Sequence, residues 1–155
     1  MDQRPSQVTA DYWIYADSPG TDADGMGRTG KWLVFVPAAR IDSWWQKIKH
    51  ATEAGDLGVS AKAATVRPNP LATSPKTKLI CVYTRDWHDH DDVRRVLREL
   101  RVLGVSWRLS YKTDDATISG VYGTGSAVYV SQPDSQTFDD RTDRSSRSVR
   151  APGPG

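Results

Sequence analysis

Two stretches of this sequence follow one plan, and that repetition limits the fold more than any other feature. In the first, the apolar run Lys31-Trp32-Leu33-Val34-Phe35-Val36 leads through a helical segment to Leu57-Gly58-Val59-Ser60-Ala61-Lys62. In the second, Lys78-Leu79-Ile80-Cys81-Val82-Tyr83 leads through another to Leu103-Gly104-Val105-Ser106-Trp107-Arg108. Lysine and glycine stand 27 residues apart in one copy and 26 in the other. Runs rich in β-branched and aromatic residues read as strands. Two copies fall short of a solenoid, so the pattern predicts a strand–helix–strand unit repeated inside one domain, over residues 31–66 and 78–112.

The helices are legible from their spacing. Ile41, Trp44, Trp45 and Ile48 recur at helical intervals after Asp42, a predicted N-cap, and Gly55 is the predicted stop. The second helix opens near Asp89. Val93, Val96, Leu97, Leu100 and Leu103 form its apolar stripe, and Gly104 closes it. Further strands are predicted at 12–16, 59–66, 105–111, 117–122 and 126–130, with glycine-rich or proline-rich loops at 17–30 and 68–75. The expected fold is α+β, a curved antiparallel sheet of about seven strands backed by two main helices. Residues 1–11 read as a loose N-terminus and 12–131 as the domain. Residues 132–155, dominated by Ser, Asp, Arg, Thr and Pro, read as a disordered tail because they bury too little to offset ordering entropy.

Composition removes several function classes. With 21 basic and 19 acidic residues the net charge is +2, so any electropositive site must come from local arrangement. The single cysteine, Cys81, allows no intrachain disulfide, and an apolar strand position predicts an inert thiol in a reducing compartment. No apolar run approaches the roughly 18 residues of a membrane span, and the first residues do not form a signal peptide. The cytoplasm is the expected location, and no membrane partner is expected. Gly25-Met26-Gly27-Arg28-Thr29-Gly30 precedes a strand and lacks a Walker ending, and no Gly-x-Ser-x-Gly is present. His88-Asp89-His90-Asp91-Asp92 suits a capped helix start better than a metal site, because no distant Cys or His completes a ligand set. Neither a metal nor a cofactor is expected.

Strand alternation sorts the basic residues. Val105, Trp107, Leu109 and Tyr111 point one way, and Ser106, Arg108, Ser110 and Lys112 the other. With the apolar set under the helices, Ser60, Lys62, Arg108 and Lys112 line the uncovered face. A basic groove with hydroxyls and aromatic neighbours suits a phosphorylated ligand. The same residues equally suit an open sheet face that merely meets water. Of the six tryptophans, Trp44 and Trp45 belong to a helix face and Trp32 and Trp107 to the covered sheet face. Trp13 and Trp87 are the candidates for stacking on a base.

Gly30-Lys31-Trp32-Leu33, Ser60-Ala61-Lys62, Ile80-Cys81-Val82-Tyr83-Thr84-Arg85-Asp86, Leu103-Gly104-Val105 and Tyr111-Lys112-Thr113-Asp114 together resemble the Bles-type family, named for a basophilic-leukaemia-expressed protein. The resemblance runs from about Tyr12 to Val130. It implies a fold similar to that of the cap-binding translation initiation factor 4E. A second resemblance is to phosphothreonine lyases, including the lyase domains of lanthipeptide synthetases. Lys31-Trp32-Leu33 falls on their Lys-x-His strand, Lys62 on their isolated lysine, Lys78 to Arg85 on a later strand and Val121-Tyr122-Gly123 on their Arg-Tyr-Gly. That resemblance implies Lys62 or Lys78 as a base for the Cα proton, with Arg85 and Arg108 clamping phosphate. Leu33 and Val121 depart from it, standing where the acid histidine and an arginine belong. Loss of a general acid lowers a rate by about 10²–10⁴-fold.

The expectation is therefore that Lys31, Lys62, Lys78, Arg85, Arg108 and Lys112 recognise a phosphorylated peptide or small phosphorylated ligand. Catalysis would take the form of a phosphothreonine or phosphoserine lyase-type elimination. The alternative is a non-catalytic module that binds a nucleotide, RNA or a phosphopeptide.

Overall fold

The computed structural model describes residues 3–20, 28–68, 76–114 and 127–142. These residues form seven strands: β1 (Trp13–Asp17), β2 (Gly30–Pro37), β3 (Ser60–Ala64), β4 (Thr77–Thr84), β5 (Leu109–Thr113), β6 (Tyr129–Ser131) and β7 (Asp139–Asp140). The two helices are α1 (Ile41–Glu53) and α2 (His90–Val102). The strands form one sheet in the order β1-β3-β4-β2-β5-β6-β7, every neighbouring pair antiparallel. The two predicted units are β2–α1–β3 and β4–α2–β5. Among the described residues, no helix is long and apolar enough to cross a membrane.

Alternation decides what the helices cover. Ile14 and Ala16, Trp32, Val34 and Val36, Ala61 and Ala63, Ile80 and Val82, and Leu109 and Tyr111 are all buried in one core with the helices. From α1 come Ile41, Trp45 and Ile48, and from α2 Val93, Val96, Leu97 and Leu100. Most polar groups within this layer are paired, as burial demands, although the indole nitrogens of Trp87 and Trp107 are buried without a hydrogen-bond partner. Trp32 Nε1 donates to the Val93 carbonyl at 3.1 Å, Tyr129 Oη to the Trp87 carbonyl at 2.5 Å, and the Tyr111 and Thr84 hydroxyls lie 2.6 Å apart.

Arg101, in the last turn of α2, ties the far edge of the sheet. Its Nε donates to the Ser135 carbonyl, Nη1 to the carbonyls of Val105 and Trp107, and Nη2 to Ser131 Oγ and the Gln132 carbonyl. All five guanidinium donors are thus engaged.

Several expectations need correction. Residues 3–11 are not loose: Pro5 is buried, its carbonyl accepts from Val66 N at 3.0 Å, and Ser6 bonds Asp42 through N and Oγ. Asp42 is therefore not the cap of α1. The helix begins at Ile41 after a short turn Ala38–Arg40, and the carboxylate faces the N-terminal arm instead. Residues 132–142 are ordered in part, since β7 pairs with β6 and Phe138 packs against Tyr129 at 4.4 Å. Phe138, together with the Arg101 bonds to Gln132 and Ser135, holds this polar segment on the core. Strand β5 starts at Leu109 rather than Val105, because Val105 and Trp107 carbonyls are taken by Arg101. The predicted strand at 117–122 lies outside the described residues. Asp89 caps α2 as expected, accepting from Asp92 N at 3.2 Å, and Gly55 and Gly104 follow their helices with φ of 81° and 106°.

Candidate functional site

The face of the sheet away from the helices carries a defined set of side chains, because register lines residues up across strands. One row runs Asp17, Ser60, Tyr83, Lys31, Lys112. The next runs Tyr15, Lys62, Cys81, Leu33, Ser110, Val130. Beyond it, Trp13 pairs with Ala64 and Leu79 with Phe35. Polarity therefore falls along the strands, from lysines at one end to aromatic and aliphatic residues at the other. Tyr15 is 64% exposed and Phe35 52%.

Three lysines from three strands gather at the polar end. Lys31 Nζ lies 5.7 Å from the centre of the Tyr83 ring, and Lys62 Nζ lies 6.0 Å from the same centre and 4.1 Å over the Trp13 ring. Lys112 is the register partner of Lys31. Only Lys31 has a counter-ion among the described residues of this group: Asp114 Oδ1, at 2.5 Å. Ammonium groups held over ring faces are attracted by the quadrupole, which positions them without neutralising them. Burial pushes the Cys81 thiol up to about 11, against the pull of Lys62, Lys31 and Lys112. The Tyr83 hydroxyl is also pushed up, chiefly by burial. Both are neutral, so the charge of this face, among the described residues, is that of its lysines, of Asp114 and of Asp17 at the β1 edge.

The predicted residues separate into two groups. Lys31, Lys62, Lys112 and Trp13 come together on the face away from the helices, whose middle, at Cys81, Leu33 and Val130, is buried. Arg108 is exposed just before β5, between Trp107 and Leu109, which both pack on the helix side. Lys78 does not join them: it pairs with Val36 and shares its side of β4 with buried Ile80 and Val82. The two copies of the repeat are out of phase with the pleat by one residue, so Lys31 and its sequence counterpart Lys78 project from opposite faces. Arg85 is exposed past the end of β4, where it lines a hollow with Gly58, Val59, Asp89 and Arg95 beside α2. Trp87 is only 4% exposed and stacks on His88 with ring centres 3.9 Å apart, so no base can lie on it.

The histidines stand on the helix side. His88 lies against Trp87 and 3.4 Å from Asp86, and His90 packs on Tyr129 and Phe138 with Nε2 3.5 Å from Asp140. Among the described residues, no group of three or more His, Cys, Asp or Glu could hold a metal ion. Sequence reasoning did not single out Tyr83 or Tyr15, which the register places beside the lysines. The signal was available: Tyr83 shares the alternation of Cys81 in the strongest strand of the chain.

Solved structures of initiation factor eIF4E share this fold. The schistosome eIF4E complexed with m7GpppA and 4E-BP is 17% identical with a TM-score of 0.55, over 81% of this chain and 70% of that one. Ascaris suum eIF4E-3 with m2,2,7G cap is 20% identical with a TM-score of 0.50, over 76% of this chain and 66% of that one. C. elegans eIF4E-3 with the 4E-binding protein Mextli and cap analog is 20% identical with a TM-score of 0.49, over 69% and 65%. The chain thus spans slightly less than two thirds of the two nematode proteins, and the likeness is one of fold. Residues 23–118 match the family model of basophilic leukemia-expressed protein Bles03. The matched stretch holds both strand–helix–strand units and all three lysines of the open face, and the chain belongs to the Bles03 family.

Proposed function

We propose that this chain is a binding module that recognises a phosphate-bearing ligand on the open sheet face around Tyr83. The observation that carries the proposal is the convergence of Lys31, Lys62 and Lys112, from β2, β3 and β5, with two ammonium groups within 6.0 Å of one ring centre. Like charges on adjoining strands repel one another, and among the described residues three lysines against Asp114 and the edge residue Asp17 leave the patch an excess of positive charge. A phosphate dianion relieves that repulsion through charge-assisted hydrogen bonds. Trp13 and Tyr15 beside Lys62, with Phe35 farther along the face, suit a planar or apolar body attached to the phosphate, as in a nucleotide. Initiation factors of the same fold carry cap nucleotides in the solved structures, which supports this choice of ligand class.

Elimination is the weaker alternative. It needs a proton donor near the leaving group, and Leu33 lies at the centre of the face where the lyase resemblance puts the acid. Cys81 and Tyr83 hold their protons too tightly to serve near neutrality. Lys78, one of the two candidate bases, is on the other face.

Titration of the full chain with GTP, ATP, inorganic pyrophosphate and a phosphothreonine peptide at low salt, read by tryptophan fluorescence, tests the proposal. At least one should bind, and Lys31→Ala and Lys62→Ala should each weaken it by roughly 5–10-fold. Lys78→Ala should leave affinity unchanged. The peptide should keep its mass after incubation. Binding indifferent to Lys31→Ala and Lys62→Ala, or a peptide that has lost phosphoric acid, would overturn it.

A further inference from the structure

The two edges of the sheet differ in a way that points to a partner. The β7 edge is two residues long and acidic, and short charged edges resist pairing. The β1 edge is five residues, Trp13-Ile14-Tyr15-Ala16-Asp17, with neither proline nor lysine. Its hydrogen-bond phase follows from the register. Thr65 N donates to the Tyr12 carbonyl and Ser18 N to the Val59 carbonyl, which makes Trp13–Ala64, Tyr15–Lys62 and Asp17–Ser60 the non-hydrogen-bonded pairs. Ile14 and Ala16 therefore bond to β3, and the N–H and C=O groups of Trp13, Tyr15 and Asp17 point outward. Among the described residues, no strand pairs with them.

We infer that β1 pairs antiparallel with β1 of a second copy of this chain, about a two-fold axis at Tyr15. The three outward residues are spaced for it. Tyr15 meets its own counterpart and Trp13 meets Asp17 of the other copy, closing about six backbone hydrogen bonds. Side-chain charge favours the same register. Asp17 is exposed, with no ion pair among the described residues, and across the axis it lies beside Trp13, over whose ring Lys62 Nζ sits at 4.1 Å. Each copy thus supplies a carboxylate to the other's Lys62, giving two symmetric ion pairs. The exposed ring of Tyr15 is covered in the same step. The two open faces become one continuous surface, with the partner's Asp17 at its centre. Lys62 serves both this contact and the ligand proposal, so a bound phosphate and the other copy's Asp17 compete for it, whereas the backbone pairing of β1 is independent of the ligand.

Sedimentation velocity of the full chain from about 1 µM to 1 mM tests it, a range that covers weak and transient interfaces. The wild type should shift from monomer to twice the monomer mass. Tyr15→Pro removes one outward N–H and no bond to β3, and should remain monomeric. Asp17→Lys should weaken the dimer by about tenfold, the scale of two exposed ion pairs. Asp17→Lys combined with Lys62→Asp should recover to within about threefold of wild type, which no purely structural role for either residue explains. Circular dichroism confirms that each variant is folded. A wild type monomeric throughout, a dimer that survives Tyr15→Pro, or a charge swap without recovery would each overturn the inference.

Discussion

Lys62 sits where three requirements meet: the ring of Trp13 beneath it, the ring of Tyr83 beside it and the thiol of Cys81 across the register. Cation–π contacts at partly exposed sites contribute about 0.5–1 kcal/mol. Lys62→Ala should therefore lower the melting temperature by no more than about 4 °C for a chain of this size, while it weakens phosphate binding severalfold. Calorimetry on the same preparation reads both. Cys81 supplies a second test. Its pKa is raised by burial, so the folded state favours the thiol over the thiolate. The stability it contributes is complete below the ordinary cysteine pKa of 9.0 and is lost as pH rises through about 11. Alkylation by iodoacetamide should be negligible at pH 8 and rise only in the alkaline range where stability falls. In Lys62→Ala the strongest charge that opposes the shift is gone, and the thiol should move higher still. Lys62 and Lys112 were legible in the sequence because polar residues at every second position of a strand share a face, whereas Lys31 entered only through the repeat, which did not fix its face. Lys78 was not, because sequence similarity between the two repeats says nothing about their phase relative to the pleat. Trp87 was misread for a different reason: nothing local to Arg85-Asp86-Trp87 says that Tyr129, 42 residues away, closes over it.

The elements are held by a few contacts whose loss can be measured. Gly58 is pressed against β4: a Cβ there would lie 2.0 Å from the Tyr83 carbonyl oxygen, which accepts from Val59 N. Gly58→Ala must part β3 from β4 beside Tyr83, and should lower stability by about 2–4 kcal/mol or prevent folding. Arg101→Lys keeps the charge but cannot reach five acceptors, and leaving buried carbonyls unpaired should cost about 2–3 kcal/mol in chemical denaturation. Asp89→Ala, which removes only the cap of α2, should cost about 1 kcal/mol. Both helices and most strands could be read from periodicity. The attachment of residues 132–142 could not, because it depends on Phe138 and on the Arg101 contacts, neither of which has a local signature.

At the scale of the whole molecule, one layer does two jobs. The sheet buries its apolar face under α1 and α2, and that same alternation obliges the opposite face to carry Lys31, Lys62, Lys112 and Tyr83 in adjoining rows. The net charge of +2 gives little long-range attraction, so ligand capture should depend on the patch and weaken with salt over the range where the Debye length shrinks to about 8 Å. The most direct test of phosphate recognition is a ¹H–¹⁵N correlation spectrum of the full chain, titrated with inorganic pyrophosphate and with GTP. The expected result is saturable shifts at the amides of Lys31, Lys62, Tyr83 and Lys112, with GTP adding shifts at Trp13 and Tyr15 and neither ligand moving α1 or α2. Shifts confined to the α2 start near Arg85 and Arg95, or no shift at millimolar ligand, would contradict it.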